Sequence, residues 1–289
     1  MATLREIRKR ISSIRSTQQI TKAMKMVAAA RLRKAQERIT AIRPYAYDLK
    51  ELIAHLIAVS PELRNVPLLA RRPVEKVLLV VVTADRGLCG GFNSNILRAA
   101  SRRVSEYGDK EVALFTVGRK STEFFTRRNY EVVEKKLNFF NALSFEDALE
   151  ISRNLVSAYT DRTYDRIEII YNEFKSAIQQ NVIIEQFLPF VPDEEMVSEK
   201  VQIDFLYEPD KMAIINEAIP KDLNVQAWRI LLESNAAEQG ARMTAMESAT
   251  DNAQELIDKL TLFYNRARQA AITTEISEIV GGAEALKEG

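Results

Sequence analysis

Apolar side chains recur every three and four residues from Leu4 to Leu56, and this repeat constrains the chain more than any other feature. Leu4, Ile7, Ile11 and Ile14 open the series, which lapses into polar residues at Gln18, Thr21 and Lys25. It resumes at Ala28, Leu32, Ala35, Ile39, Ile42, Ala46, Leu49, Ile53 and Leu56. A period of 3.5 held over about seven heptads keeps one seam of a helix turned toward a partner helix, so the segment reads as half of a coiled coil. No glycine interrupts it. Pro44 lies inside the pattern, and a proline removes one backbone donor and crowds the turn before it, so a kink or locally open turn is expected there. Ser60 and Pro61 end the element.

The last third of the chain behaves alike. Met246, Ala249, Ala253, Leu256, Leu260, Phe263, Ala267 and Ala270 form a second series, on a helix expected from about Leu223 to Leu286 with Pro220 marking its start. At 1.5 Å per residue the two helices would be about 80 Å and about 95 Å long, several times the usual globular helix. Such helices are hard to bury in a globule, and the simplest arrangement pairs them antiparallel with each other. The C-terminal helix should then outlast its partner by roughly ten residues, leaving its end alone. That end uses small residues, Ala267, Ala270, Ala271, Thr274, Ser277, Gly281, Gly282 and Ala283, where a stable zipper would use Leu or Ile. Each missing methylene forgoes ~0.8 kcal/mol of burial, so the end is either a frayed tail or a helix that something else surrounds.

Between Val74 and Tyr207 short β-rich runs alternate with helical ones. Strands are expected at Lys76 to Thr83, Glu111 to Val117, Tyr130 to Lys135, Tyr164 to Phe174 and Val182 to Phe190. Helices are expected at Asn93 to Tyr107, Arg119 to Arg128 and Ser144 to Tyr159, the last opening with a serine cap and an acid three residues on, Asp147. That alternation predicts a mostly parallel, doubly wound sheet covered by helices. The fold class is therefore α/β: a Rossmann-like central domain, 74–207, between coiled-coil helices at 1–60 and 210–289.

Composition narrows the chemistry. The 289 residues are 46% apolar and carry no run long enough to span a bilayer, the longest aliphatic stretch being Val77 to Val82. The start shows no apolar leader, so a cytosolic, unprocessed chain is expected. A single cysteine, Cys89, permits no internal disulfide or cysteine cage, and a single histidine, His55, makes histidine-dependent catalysis improbable. His55 falls one position from the seam and reads as a flank residue, Cys89 as a buried or half-buried thiol. The first strand leads into Asp85-Arg86-Gly87-Leu88-Cys89-Gly90-Gly91-Phe92-Asn93, a turn before a helix where other α/β proteins hold phosphate. It lacks both G-x-G-x-x-G and G-K-[ST], so it reads as a structural turn using positive-φ glycines. No catalytic constellation, cofactor site or metal site is evident. The net charge of +1 hides an asymmetry: residues 1–50 hold thirteen basic side chains against three acids, which points to an anionic partner.

Local sequences then match one family. Ile7 to Arg33, the loop DRGLCGGFNSN from Asp85, ARMTAMESATDNA from Ala241 and YNRARQAAITTEISEIVGGA from Tyr264 resemble the gamma subunits of F-type ATP synthases, over essentially the whole chain. Ile272, Thr273, Glu275, Glu278, Gly282 and Ala283 fit the family's C-terminal signature. The resemblance implies a non-catalytic central rotor stalk. One such subunit stands in a hexamer of alternating alpha and beta subunits, its coiled coil inside and its α/β domain meeting the epsilon subunit and the membrane c-ring. Carried over residue by residue, Arg268 and Gln269 match the pair that meets the beta catch loop, and Arg242 the basic residue gripping the same region. Met24 matches the position facing beta's acidic lever loop. Plant-plastid members carry an inserted cysteine pair that Cys89 alone cannot supply, so a bacterial-type subunit is implied, peripheral on the cytoplasmic face of the inner membrane.

Two rivals remain from the residues themselves. A basic coiled-coil protein binding nucleic acid would lose affinity steeply with salt, and the absence of aromatics before Tyr45 speaks against base stacking. A nucleotide-binding α/β enzyme would bind nucleotide stoichiometrically at the glycine loop.

Overall fold

A computed structural model describes residues 3–60, 63, 66–138, 140, 143–191, 208 and 210–288, with side chains described as far as Ala283. The stretch 192–207, the end of the expected central domain, lies outside them. Ten elements follow in order: α1 (Leu4–Val59), β1 (Lys76–Val82), α2 (Phe92–Glu106), β2 (Glu111–Val117), α3 (Arg119–Thr126), β3 (Val132–Lys136), α4 (Phe145–Thr160), β4 (Arg166–Phe174), β5 (Gln180–Leu188) and α5 (Lys211–Glu288). The boundaries of the central elements fall close to those expected from the sequence. The chain forms two compact units, Met1–Val27 with Met243–Gly289, and Ala28–Arg242. The division falls inside both long helices.

α1 is one helix of 56 residues with Pro44 inside it. Its burial follows the 3,4 seam: Ile7, Ala28, Leu32, Ala35 and Ile39 are buried, and the remaining seam positions up to Leu49 are half-buried. Near its end the whole run Ile53–Ile57 is buried, including His55, which is core rather than flank.

α5 departs from expectation at its start. It begins at Lys211, and Pro220 sits within it. Asp210 supplies the cap, its carboxylate accepting from the Ala213 amide at 2.8 Å while its carbonyl accepts from Ile214. Buried Ile215, Ala218, Ile219 and Leu223 carry the helix past the proline, because tertiary burial of that face outweighs one lost backbone bond. From Asp222 to Ala241 the helix is buried on almost every side.

The sheet of the larger unit has the order β3-β2-β1-β4-β5. Pairs β1/β2, β1/β4 and β2/β3 are parallel, and β5 runs antiparallel to β4 at one edge, β3 forming the other. β1 is buried from Val77 onward, as a central strand covered on both faces must be. α4 opens with the expected capping box: the Ser144 hydroxyl accepts from the Asp147 amide, and the Asp147 carboxylate accepts from the Ser144 amide.

On β4, Glu168 is buried and accepts from one edge of the Arg103 guanidinium, from Nη2 at 2.7 Å and Nε at 2.8 Å, and from the Tyr107 hydroxyl at 2.6 Å. Burial pushes its carboxyl up, but these donors outweigh burial and leave it below the usual carboxylate range.

Candidate functional site

Two places carry the residues singled out in the sequence: the paired helices of the smaller unit, and the glycine loop of the larger one.

In the smaller unit α1 and α5 meet through side chains whose numbers fall as their partners' rise. Arg8 donates to the Tyr264 hydroxyl at 3.0 Å, Gln18 donates to the Gln254 side-chain oxygen at 2.8 Å, the hydroxyls of Thr21 and Thr250 lie 2.8 Å apart, and Lys25 pairs with Glu247. That is an antiparallel pair. The lapse in the apolar repeat at Gln18, Thr21 and Lys25 is thus three polar rungs, each with a partner on α5.

These rungs also fix the phase of α5. The expected series placed Leu256, Phe263 and Ala270 on the seam, but Leu256 is 43% and Phe263 55% exposed, and Ala270 is exposed too. Buried Ile257 and half-buried Thr250, Tyr264 and Ala271 take their places. The two phases share Met246, Ala253, Leu260 and Ala267, and apolar residues stand at both 256 and 257, so hydrophobic spacing alone does not choose. The polar partners on α1 do.

Met24 is half-buried on this pair, while Arg268 and Gln269 are exposed. With Arg8 opposite Tyr264, the first helical residue, Leu4, stands opposite Arg268, so α5 runs past α1 over positions 269–288, about twice the ten residues of overhang expected. Ile272, Thr273, Glu275, Glu278, Gly282 and Ala283 all lie in this overhang and are exposed. So are Ile272, Ile276, Ile279 and Val280 as a set, at 46–71%. Their spacing puts them on one face of the helix.

In the larger unit the glycine loop joins β1 to α2. Gly90 has φ +55°, but so does a non-glycine, Leu88, at +64°, while Gly91 is right-handed at −80°. Positive φ therefore falls on one glycine and one leucine. Asn93 ties the turn together: its side-chain oxygen accepts from the Ala84 amide at 2.9 Å and its amide group donates to the Cys89 sulfur at 3.2 Å. Asp85 accepts from the amides of Arg119 and Asn138 at 3.0 and 2.9 Å. Cys89 is buried, and burial pushes its thiol up despite the nearby Arg242 charge.

Sheet order reverses between β1 and β4, and α/β proteins bind ligands at the carboxyl ends of strands at such a point. Here α5 fills it. Ala237 and Ala241 are part of the core that contains Val81, Ala84, Cys89 and Phe92. A Cβ added to Gly240 would stand 3.3 Å from the backbone of Ala177 and 3.5 Å from Phe174, just beyond β4. Arg242 donates to the Gly87 carbonyl at 3.2 Å and pairs with Glu238, with only 11% of its side chain exposed. The residue proposed from sequence to meet a partner therefore clamps the glycine loop to α5, a role no sequence signal announced.

An ATP synthase family model matches residues 3–286. The ATP synthase gamma chain of Chloroherpeton thalassium is 51% identical over 100% of this chain and 99% of its own length. The chain belongs to the ATP synthase gamma chain family. Gamma chains of Chlorobaculum parvum, at 50% identity over the full length of both, and Geotalea uraniireducens, at 47%, are similar throughout. Among solved structures, the Tetrahymena thermophila mitochondrial ATP synthase central stalk and c-ring contains a chain 28% identical with TM-score 0.60, covering 80% of this chain and 99% of that one. A chain of the Euglena gracilis mitochondrial ATP synthase shares the fold at TM-score 0.70 and 23% identity, covering 98% and 94%. This gamma chain is a subunit of an ATP synthase. No helix among its described residues is long and apolar enough to cross a membrane.

Proposed function

We propose that this gamma chain is the central rotor stalk of a bacterial F-type, proton-translocating ATP synthase, transmitting rotation of the membrane c-ring to the catalytic sites of the beta subunits. One copy stands in an alpha-beta hexamer, with the epsilon subunit and the c-ring at the α/β domain, peripheral on the cytoplasmic face of the inner membrane. The chain itself supplies no catalytic group. It acts by contact: an asymmetric shaft touches three chemically identical beta subunits differently and so biases each toward a different state. In this reading 1–60 and 210–289 are the coiled-coil helices and 74–207 the foot.

The observation that carries the reading is the overhang of α5. An unpaired helix with Ile272, Ile276, Ile279 and Val280 exposed along one face is poorly stable in water and suits an apolar sleeve. Arg268 and Gln269 are exposed at the base of that overhang and Met24 is half-buried; in this reading the first two meet the catch loop of beta and Met24 faces its acidic lever loop. Arg242 would join them only through donors not already held by Glu238 and Gly87. The filled crevice over the glycine loop favours a mechanical role over nucleotide chemistry there.

The test mixes the purified chain with alpha and beta subunits and reads complex formation by size exclusion and ATP hydrolysis. A single copy per hexamer that switches on hydrolysis, with activity lowered by Arg268→Ala combined with Gln269→Ala, is the expected result. No complex, together with salt-sensitive binding to nucleic acid, would overturn it.

A further inference from the structure

In the larger unit an ion pair ties α5 to the sheet and closes on three elements. Arg229 of α5 donates from Nη2 to both carboxylate oxygens of Glu185 on β5, at 2.6 and 2.8 Å, and from Nη1 to the Tyr171 hydroxyl on β4 at 3.0 Å. Tyr171 in turn donates to Glu185 at 2.8 Å. Glu185 lies opposite Ile169, two residues from Tyr171, so both side chains stand on one face of the sheet, the face that Arg229 reaches. Tyr171 is buried, and only 20% of the Arg229 side chain and 25% of that of Glu185 are exposed. Burial pushes the Glu185 carboxyl up, but the Arg229 charge and the bonds from Arg229 and Tyr171 outweigh it and leave it below the usual carboxylate range. The pair is therefore ionised. Burial also pushes the Tyr171 hydroxyl up, which keeps it a donor. One turn along α5, Glu233 accepts from Nη1 at 3.5 Å and holds the guanidinium from the helix's own side.

This triangle is directional where neighbouring contacts of α5 are not. Past Arg229 the helix presents Ala237, Gly240 and Ala241 to the core and to the end of β4, residues too short to interlock with what they cover. Apolar burial holds a helix down without favouring one rotation about its axis. A charged fork held on two strands does favour one, because turning α5 in its seat would break these bonds and leave a largely buried charge unpaired on each side. Apolar residues of similar volume often replace a buried ion pair at no loss of stability, so what the pair adds is a fixed geometry. We infer that Arg229 is a positioning residue of the rotor: by gripping Glu185 and Tyr171 it fixes the rotational setting of α5 on the α/β domain, so that torque entering through that domain turns the shaft helix instead of twisting it in its seat. This inference rests on the rotor reading and assigns the joint that makes the rotor stiff.

The test uses the complex of this chain with alpha and beta subunits, its hexamer fixed to a surface. A bead is tied to the α/β domain through Arg98→Cys, at an exposed position of α2, while Cys89 stays buried. The angular variance of the bead without nucleotide reads the torsional stiffness between domain and hexamer. Arg229→Met should raise that variance about twofold, as α5 comes to occupy a second setting about as often as the first. Arg229→Met combined with Glu185→Met removes both charges and should recover the urea midpoint that the single variant loses, yet keep the raised variance. Arg229→Lys, which retains the charge without the planar fork, should fall between the wild type and Arg229→Met. Variance that stays at the wild-type value in Arg229→Met, or that returns to it in the double variant along with stability, would overturn the inference, since the pair would then act on the fold alone. A wild-type chain that forms no complex would sink the rotor reading and this inference with it, whereas assembly with equally stiff variants would sink this inference only.

Discussion

The hydroxyls of Thr21 on α1 and Thr250 on α5 lie 2.8 Å apart, at the point where the apolar repeat of α1 gives way to polar residues. Each has a fallback partner in its own helix: Thr21 can donate to the Gln18 carbonyl at 3.0 Å, and Thr250 to that of Met246 at 2.7 Å. Removing one hydroxyl therefore strands little, and removing both leaves two β-branched residues of similar shape facing each other. Thr21→Val and Thr250→Val should each cost below about 1 kcal/mol, and the double variant should be neutral or more stable than the wild type. Urea unfolding of the four proteins gives the coupling energy, expected at about 1 kcal/mol. A coupling of zero would mean that the rung does not hold in solution.

Gly240 sits in the middle of α5, where alanine would normally stabilise a helix by about 1 kcal/mol. Its added Cβ would meet the Cα and carbonyl oxygen of Ala177 at 3.3 Å, and backbone cannot swing aside as a flexible side chain could. Gly240→Ala is expected to lower the unfolding midpoint despite the gain in propensity. Gly281→Ala, where a Cβ would meet nothing within 4 Å, should instead raise helicity at 222 nm. Opposite signs from the same substitution on one helix are the test, and two changes of the same sign would show that α5 does not press on the β4–β5 turn.

Much of this architecture was legible in the sequence, because it rests on periodicity. The seam of α1, the alternation of strands and helices and the cap of α4 follow from spacing and from local chemistry at Ser144 and Asp147. What escaped was decided by tertiary partners. Pro220 looked like a boundary because its local cost is visible, while the burial of Ile215 and Ile219 that offsets it is not. Leu256 and Ile257 are equally apolar, and only Thr21 and Arg8, far away in sequence, choose between them. Arg242 matched a partner-binding position by resemblance, yet its engagement with Gly87 depends on two segments 155 residues apart.

Asp222 is fully buried on α5, with Gln226 donating to one carboxylate oxygen and the other lacking any donor. Burial raises its pKa to about 6, against the opposing charges of Lys50 and Arg229. A carboxyl with a raised folded-state pKa contributes stability that is present below its unfolded value and is lost as pH climbs through the folded one. The wild type should therefore lose stability from this group between about pH 4 and pH 6 and gain none back above. Asp222→Asn, which places a neutral amide there, should stabilise the chain by about 1–2 kcal/mol at pH 7.5 and by much less at pH 4.5. Denaturant unfolding of both proteins at the two pH values checks the sign, and a pH-independent difference would show that Asp222 does not titrate in this window.

The clamp between Arg242 and the Gly87 carbonyl makes Cys89 a reporter of the glycine loop. The thiol is 2% exposed, accepts from Asn93 and is pushed up by burial, so it should react with a water-soluble disulfide reagent orders of magnitude more slowly than a free thiol. Arg242→Met keeps much of the side-chain length while removing both the bond to Gly87 and the charge that opposes burial of the thiolate. With the charge gone the thiol is a poorer nucleophile, which by itself slows the reaction; with the clamp gone the loop opens, which speeds it. Access outweighs nucleophilicity for a thiol this buried, so the variant is expected to react at least about tenfold faster, with little change in far-ultraviolet dichroism. A rate that falls would mean that Asn93, Asp85 and the α5 core hold the loop closed without the clamp, and that Arg242 acts there by charge alone.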